Sequence, residues 1–207
     1  MKLFLASYAT HPQSLEQIKE SVGGSWQGKT IVYIPTAKNG EEFGSWKKSD
    51  SFIRLQKLGA TIKPIELEQY VHKSISSEFK NADIVWFGGG QTGYLLYWIR
   101  RVSLDTYLPE VLEKGALYVG SSAGSMVCSK TQFASELYIG EPERGASLLP
   151  GLGYIDFEIY PHFTDDLKPE LERLWKKGKL YLIKDGEAIV KDKDKVTVLG
   201  KERIIEK

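Results

Sequence analysis

Residues 117–125 (LYVGSSAGS) combine the residue types and the spacing best suited to covalent chemistry. An apolar, β-type run leads into Gly-x-Ser-x-Gly centred on Ser122, and small residues continue as a helix. A serine on a tight strand-to-helix turn has its Oγ lifted above the sheet edge, and the N–H of the next residue, Ala123, faces any oxyanion formed there. The pattern predicts a nucleophile elbow at Ser122, with an ordinary Gly/Ser-rich turn as the alternative.

A serine nucleophile needs a neighbouring base, and the chain offers three histidines. His11 and His72 lie in polar segments and are predicted to be solvated surface groups. His162 follows an apolar run and Pro161, at a predicted strand end, where catalytic side chains gather in open α/β sheets. We therefore expect His162 to be the base, with a packed loop residue as the alternative.

The third role is an acid that orients the imidazole, and two carboxylates can supply it. Glu136 lies beyond the helix of the elbow, where the chain can turn back over the site. Asp185 lies at the end of a later predicted strand. Glu136 is the preferred prediction and Asp185 the alternative; either can also be a plain loop carboxylate.

A three-glycine turn, residues 88–90, follows the apolar run 83–87 (DIVWF). Glycine lets a backbone N–H approach a reacting carbonyl, so Gly89 and Gly90 are predicted to complete an oxyanion hole with Ala123. A tight turn without a catalytic part is the alternative. A nucleotide site is disfavoured because the dinucleotide fingerprint is absent and no Lys-Ser/Thr follows the glycines. No His/Cys/Asp cluster has metal-ligand spacing, so neither metal nor cofactor is expected.

The elements that must position these residues alternate between strand and helix in the first two thirds of the chain. Such alternation predicts an α/β fold with a doubly wound, mostly parallel sheet and helices on both faces. Pro64 interrupts the third strand and predicts an edge position for it. The predicted strands are 2–6, 30–34, 61–67, 83–87 and the strand of the elbow, and the predicted helices are 12–21, 45–58, 94–101 and 105–114, with a polar loop before residue 45.

The predicted pattern of secondary structure changes after residue 147, where short strands follow one another with little helix between them. These strands are 157–160, 180–183, 188–190 and 196–199, and the last two flank a charged hairpin tip at residues 191–195. At 207 residues the chain fits a single α/β domain, 1–207.

The amino-acid composition indicates which classes of partner and which cellular compartment to expect. The chain has 28 basic and 27 acidic residues, for a net charge of +1, and the basic residues are scattered, which argues against nucleic acid as a partner. Its single cysteine, Cys128, can form no internal disulfide and is predicted to be buried. No leader-like segment precedes the first strand and no apolar run approaches the roughly 18 residues that span a bilayer, so we expect a soluble, cytoplasmic protein without membrane association.

Three motifs in order, FGGGQT at 87–92, GSSAG at 120–124 and YPHF at 160–163, resemble the peptidase E family of serine peptidases, which includes cyanophycinase. The resemblance implies a flavodoxin-like fold related to class I glutamine amidotransferases, with serine as nucleophile. It implies Ser122 as nucleophile, His162 as base and oxyanion donors from the 88–90 turn and Ala123. The acid of the family aligns with Glu136 or with Asp185.

The implied activity is hydrolysis of small peptides, dipeptidase-like or exopeptidase, by a monomer or homodimer. The segment after His162 is short and acidic where aspartyl dipeptidases carry basic residues, which leaves Arg144 and Arg173 as candidates to pair with a substrate carboxylate. Two other functions stay open: an amidase or esterase that uses the same elbow, and a catalytically silent binding module.

Overall fold

The computed structural model describes residues 1–42 and 45–207. The polar loop predicted before residue 45 includes residues 43 and 44, which lie outside the described residues. The strands are β1 Lys2–Ala6, β2 Thr30–Ile34, β3 Thr61–Pro64, β4 Ile84–Phe87, β5 Leu117–Ser121, β6 Glu158–Tyr160, β7 Lys179–Leu182, β8 Ala188–Asp192, β9 Lys195–Leu199 and β10 Ile204–Glu206. The α-helices are α1 Pro12–Ser21, α2 Thr36–Asn39, α3 Asp50–Gln56, α4 Thr92–Arg101, α5 Leu104–Glu113, α6 Ala123–Met126, α7 Phe133–Glu136 and α8 Lys168–Leu174.

A seven-stranded central sheet has the order β3-β2-β4-β5-β1-β8-β9. The first five strands in this order are parallel, and β8 and β9 add an antiparallel hairpin beside β1. The predicted α/β class, the edge position of β3 and the C-terminal hairpin are confirmed. Parallel strands present their carboxyl ends at one edge, so the ends of β4, β5 and β1 lie side by side.

Both faces of the central sheet are covered, as the apolar strands require. Alternate residues of β1 show the division, because Leu3 and Leu5 join one core cluster and Phe4 and Ala6 join the other. Helices α4 and α5 pack in the first cluster, and α1 and α3 in the second.

A second sheet of three strands, in the order β10-β7-β6, accounts for the change from alternating strands and helices to short strands after residue 147. The predicted strands near β6 and β7 are confirmed, whereas β10 and α8 were not predicted. The only apolar residues of strand β10 are Ile204 and Ile205, and two apolar residues within a charged segment give no periodic signal. The predicted helix 45–58 is split into a 3₁₀ turn at Trp46–Lys48 and α3, because Ser49 accepts a hydrogen bond from Phe52 N and caps a new helix.

In residues 1–42 and 45–207, no helix has the length and apolar character needed to cross a bilayer.

Buried Glu158 joins the second sheet to the chain beyond the elbow. Its carboxylate accepts hydrogen bonds from Thr131 Oγ1 at 2.6 Å, Phe133 N at 3.3 Å and Ala134 N at 2.7 Å. Two of these donors are N–H groups at the start of α7, which the helix itself cannot satisfy. Glu158 therefore fixes α7 against β6.

Replacing Glu158 with alanine is expected to lower the free energy of unfolding by about 1–3 kcal/mol, because buried N–H donors lose their acceptor. Urea denaturation measures the change. Glu172→Ala is the control, since Glu172 is exposed and its only described ion pair, with Lys168, spans 3.6 Å. Equal stabilities of the two variants would contradict this role of Glu158.

Candidate active site

A cavity of about 1090 Å³ opens at the carboxyl ends of the parallel strands. Ser122, His162 and the glycines Gly89 and Gly90 all contribute to its wall. The structure thus brings three of the sequence-predicted motifs, which are far apart along the chain, to one cavity.

Ser122 has the backbone of a nucleophile elbow. Its φ of 51° and ψ of −112° lie outside the favoured regions for a residue with a side chain. The strain is held by neighbouring hydrogen bonds: Ser122 N donates to Ala6 O at 3.1 Å, and Ser122 O accepts from Ser125 N at 2.8 Å and Met126 N at 3.0 Å. The side chain is partly exposed between β5 and α6.

The two glycines of Gly-x-Ser-x-Gly are required by close backbone contacts. A Cβ on Gly120 would lie 2.5 Å from Gly124 O, and a Cβ on Gly124 would lie 2.4 Å from Phe87 O. Strands β4 and β5 and helix α6 can therefore approach this closely only if both positions lack a side chain.

His162 is paired with Asp185. The imidazole Nδ1 lies 2.7 Å from Asp185 Oδ1, and the same oxygen accepts a hydrogen bond from Ser7 Oγ at 2.7 Å. The hydrogen bond with His162 is the main reason why the pKa of Asp185 lies below its usual value, and the bond from Ser7 lowers it further, while partial burial acts in the opposite direction.

Glu136, the acid preferred from the sequence, does not have this position. Its carboxylate accepts hydrogen bonds from Ser147 N at 3.1 Å and Ser147 Oγ at 2.6 Å. The helix that carries it, α7, is turned toward the 3₁₀ segment Ala146–Leu148, so the carboxylate organises a loop instead of orienting His162.

Of the predicted oxyanion donors, Gly89 lies beside Ser122 and Ala123 follows it in the chain, while Gly90 contacts Ala37. A Cβ on Gly89 would lie 3.3 Å from Ser122 Cβ, so the backbone of Gly89 is adjacent to the serine. Among the described residues, the N–H groups of Gly89, Gly90 and Ala123 have no backbone acceptor outside regular elements. The neighbouring N–H groups of the turn are used, since Gly88 N donates to Ile34 O and Gln91 N to Ala37 O.

The two candidate arginines are separated by the fold. Arg144 is exposed and lines the cavity together with Glu141 and Glu143. Arg173 lies on α8, is exposed and faces Glu170 at 3.6 Å, and it is not among the residues that line the cavity. The prediction of Arg173 as a substrate ligand disagrees with this placement, because the chain after His162 forms a surface helix.

Of the other histidines, His72 is exposed as predicted. His11 caps α1 by accepting from Gln13 N, and it packs near Gly186, where a Cβ would lie 2.9 Å from the imidazole. Within the described residues, no group of three or more His, Cys, Asp or Glu side chains is arranged to hold a metal ion.

Two further residues at this site, Ser7 and Glu143, are not among the candidates that the sequence offers. Glu143 lines the cavity, and its carboxylate accepts from Thr92 N at 2.6 Å and Gly93 N at 2.8 Å, the first N–H groups of α4. Nothing in the local sequence around Glu143 indicates a partner fifty residues away. Ser7 directly follows the first strand, so the strand-end rule that selected His162 applies to it as well.

Comparison with known proteins identifies the family. The model of peptidase family S51 matches residues 3–199. The chain belongs to peptidase family S51. It is a serine-type peptidase, and the predicted resemblance to peptidase E is confirmed.

Individual relatives of this S51 peptidase are distant in sequence. The chain is 26% identical over 179 residues to an uncharacterized peptidase of Listeria monocytogenes, covering 83% of this chain and 86% of the relative. It is 29% identical over 173 residues to peptidase E of Escherichia coli O6:H1, covering 81% and 71%. A crystal structure of a Listeria monocytogenes EGD-e protein superposes with a TM-score of 0.77 at 23% identity, covering 96% of this chain and 97% of that one, which shows a shared fold.

The steric fit of Gly90 beside the site is testable. Gly90 has a φ of 136°, and a Cβ there would lie 2.3 Å from the carbonyl carbon and oxygen of Ala37. Gly115 is the matched control, because its φ of 108° is also positive but a Cβ would meet nothing within 4 Å.

Gly90→Ala is expected to lower the free energy of unfolding by about 1–3 kcal/mol more than Gly115→Ala, because only the first substitution adds a steric clash to the backbone cost. Chemical denaturation of both variants measures the difference. Indistinguishable midpoints and slopes would show that the turn beside Ala37 relaxes freely.

Proposed function

We propose that this S51 peptidase hydrolyses small peptides, as a dipeptidase-like enzyme or exopeptidase, through a triad of Ser122, His162 and Asp185. One observation carries the proposal: the 2.7 Å contact between His162 Nδ1 and Asp185 Oδ1, made by a histidine that shares a cavity with a strained, partly exposed serine. The sequence offers Asp185 as the alternative acid, and this contact is the reason for preferring it to Glu136.

The pairing determines which nitrogen acts as base. A carboxylate at neutral pH only accepts hydrogen bonds, so Nδ1 carries the proton and donates to Asp185. Nε2 is then the free acceptor for the proton of Ser122 Oγ. Among the described residues no hydrogen bond yet joins Ser122 Oγ to the imidazole, and we expect this bond to form with substrate bound, as catalytic hydrogen bonds often tighten in the complex.

In the proposed reaction, Ser122 Oγ attacks the scissile carbonyl while His162 takes its proton. The N–H groups of Gly89 and Ala123 stabilise the oxyanion of the tetrahedral intermediate, since among the described residues neither has a backbone acceptor outside the regular elements. His162 returns the proton to the leaving amine, and an acyl-enzyme on Ser122 remains. Water activated by His162 then hydrolyses the ester and releases the serine.

The cavity suits a small, polar substrate. Its volume of about 1090 Å³ lies just above the range of roughly 300–1,000 Å³ usual for small-molecule sites, which is enough for a short peptide. Arg144 is a cation on its wall, and the carboxylate of Glu143 is already bound to the start of α4. We propose that Arg144 pairs with a carboxylate of the peptide substrate.

We also propose a reducing, cytoplasmic setting. The only cysteine, Cys128, is buried, and burial raises the pKa of its thiol to about 12. It is therefore an inert core thiol in a chain without a possible internal disulfide.

The assignment of the acid is tested by Asp185→Asn beside Glu136→Gln. Asp185→Asn is expected to lower kcat by about 10²–10⁴-fold, because the amide no longer fixes the tautomer or stabilises the imidazolium. Glu136→Gln is expected to keep most of the activity. Turnover of a dipeptide library and the rate of labelling by a fluorophosphonate are the two measurements.

The variants Ser122→Ala and His162→Ala are the controls for this experiment, because they remove the proposed nucleophile and the proposed base. The first is expected to abolish both turnover and labelling, and the second to slow labelling at Ser122, as located by peptide mass mapping. Peptide cleavage by folded Ser122→Ala would refute the mechanism, and ester or amide turnover without dipeptide cleavage would favour the amidase or esterase alternative.

Arg144→Gln is expected to raise KM for a dipeptide with a free carboxylate by about tenfold, since a charge-assisted hydrogen bond is lost at an exposed position. The same dipeptide with an amidated C-terminus should show little change. Arg173→Gln is the control, because Arg173 lies on α8 outside the cavity wall. An equal effect of the two substitutions on KM would contradict the proposal that Arg144 binds the carboxylate of the substrate.

A further inference from the structure

Ser7, the residue that follows β1, lies between the two ends of the proposed triad. It is fully buried, with 0% of its surface exposed. Its Oγ lies 2.7 Å from Asp185 Oδ1 and 2.7 Å from the backbone nitrogen of His162. One hydroxyl group thus contacts both the acid and the residue that carries the base, across 178 and 155 residues of sequence.

The chemistry of the partners fixes the direction of both bonds. A carboxylate has no proton to give at neutral pH, so Ser7 donates to Asp185; a backbone N–H can only donate, so Ser7 accepts from His162. The donor and one acceptor position of the hydroxyl are therefore used. The substitution Ser7→Ala would therefore remove both the bond to Asp185 and the bond from His162 N.

The bond to His162 supports a strained backbone. His162 has a φ of 53°, in the left-handed region that residues with a Cβ seldom adopt. Such a conformation persists only where surrounding contacts enforce it. Ser7 Oγ holds the nitrogen of His162, and Ile183 O holds the nitrogen of Phe163 at 3.1 Å.

The residue before Ser7 holds the nucleophile. Ala6 O accepts from Ser122 N at 3.1 Å and from Ser125 Oγ at 2.7 Å. Consecutive residues at the end of β1 therefore bind the elbow through a carbonyl and the His162–Asp185 pair through a hydroxyl. The carbonyl that holds Ser122 and the hydroxyl that holds His162 therefore belong to neighbouring residues, Ala6 and Ser7.

We propose that Ser7 is a positioning residue for catalysis, which holds Asp185 and the backbone of His162 in register with Ser122. This inference rests on the proposed function. Ser7 touches neither substrate nor the reacting atoms, so its removal should slow the chemical step while substrate binding is retained. Misplacement of a catalytic group by about 1 Å can cost on the order of 10²-fold in rate.

The experiment compares Ser7→Ala with Ser14→Ala in the full chain. Ser14 is also 0% exposed, but its Oγ has no hydrogen-bond partner in the described structure, so the control removes an equally buried hydroxyl that holds nothing. For each variant kcat and KM on a cleaved dipeptide, the fluorophosphonate labelling rate and the melting temperature are measured. Ser7→Cys, which keeps the shape of the side chain with a somewhat larger atom and a weak donor and acceptor, applies the same test if Ser7→Ala does not fold.

The expected result is a fall of about 10–100-fold in kcat and in the labelling rate for Ser7→Ala, with KM within about twofold of the wild-type value. Ser14→Ala should match the wild-type enzyme in kcat and labelling. A folded Ser7 variant with unchanged kcat and labelling, or one whose loss lies entirely in KM, would overturn the positioning role. A wild-type protein that neither cleaves peptides nor labels at Ser122 would instead refute the proposed function, and this inference with it.

Discussion

The hydrogen bond from Ser122 N to Ala6 O is the contact on which the site depends. It joins the end of β5 to the end of β1, the neighbouring strand, at the residue where the backbone leaves the sheet in a strained conformation. The strain is tolerated because the surroundings are rigid: Gly120 and Gly124 lie in backbone contact, and Ser125 Oγ donates to the same carbonyl. Without such a support an L-residue at a φ of 51° would relax into a common turn and withdraw its side chain from the cavity.

The position of Asp185, the proposed acid, depends on a different part of the fold. Asp185 lies on the turn between β7, in the small sheet, and β8, in the large one. Glu187 fixes this turn by accepting from Lys184 N at 2.9 Å, Lys201 N at 3.1 Å and Arg203 Nη1 at 2.7 Å. Burial by itself would raise the pKa of Glu187, but these donors together keep it below its usual value. The segment between β9 and β10 is thereby tied to the loop that carries the proposed acid.

The sequence predicted the residues whose chemistry depends on local backbone geometry. Ser122 and the glycines around it follow from one strand-to-helix turn, and His162 from its place at a strand end. The carboxylate that pairs with His162 could not be predicted in the same way, because Glu136 and Asp185 are both plausible loop carboxylates and the pairing depends on tertiary packing. Here α7 turns Glu136 toward Ser147, and the junction of two sheets brings Asp185 to His162.

The same distinction holds for the fold. The apolar strands of the parallel sheet, the edge strand ended by Pro64 and the charged hairpin carry strong local signals. Strand β10 and the pairing of Glu143 with the start of α4 carry none, since each is defined by a partner distant in sequence. The position of Ser7 after β1 can be predicted from the sequence, but its hydrogen bonds cannot, because both partners are distant along the chain.

The order in which these residues appear along the chain has a consequence for biosynthesis. The hydroxyl at position 7 leaves the ribosome first and meets its carboxylate only after 178 further residues have been made. A nascent chain that has completed β5 and the elbow still lacks His162 and Asp185, the proposed base and acid. The elbow serine is therefore synthesised before either of the groups proposed to activate it, so a nascent chain of this length holds the proposed nucleophile without its base.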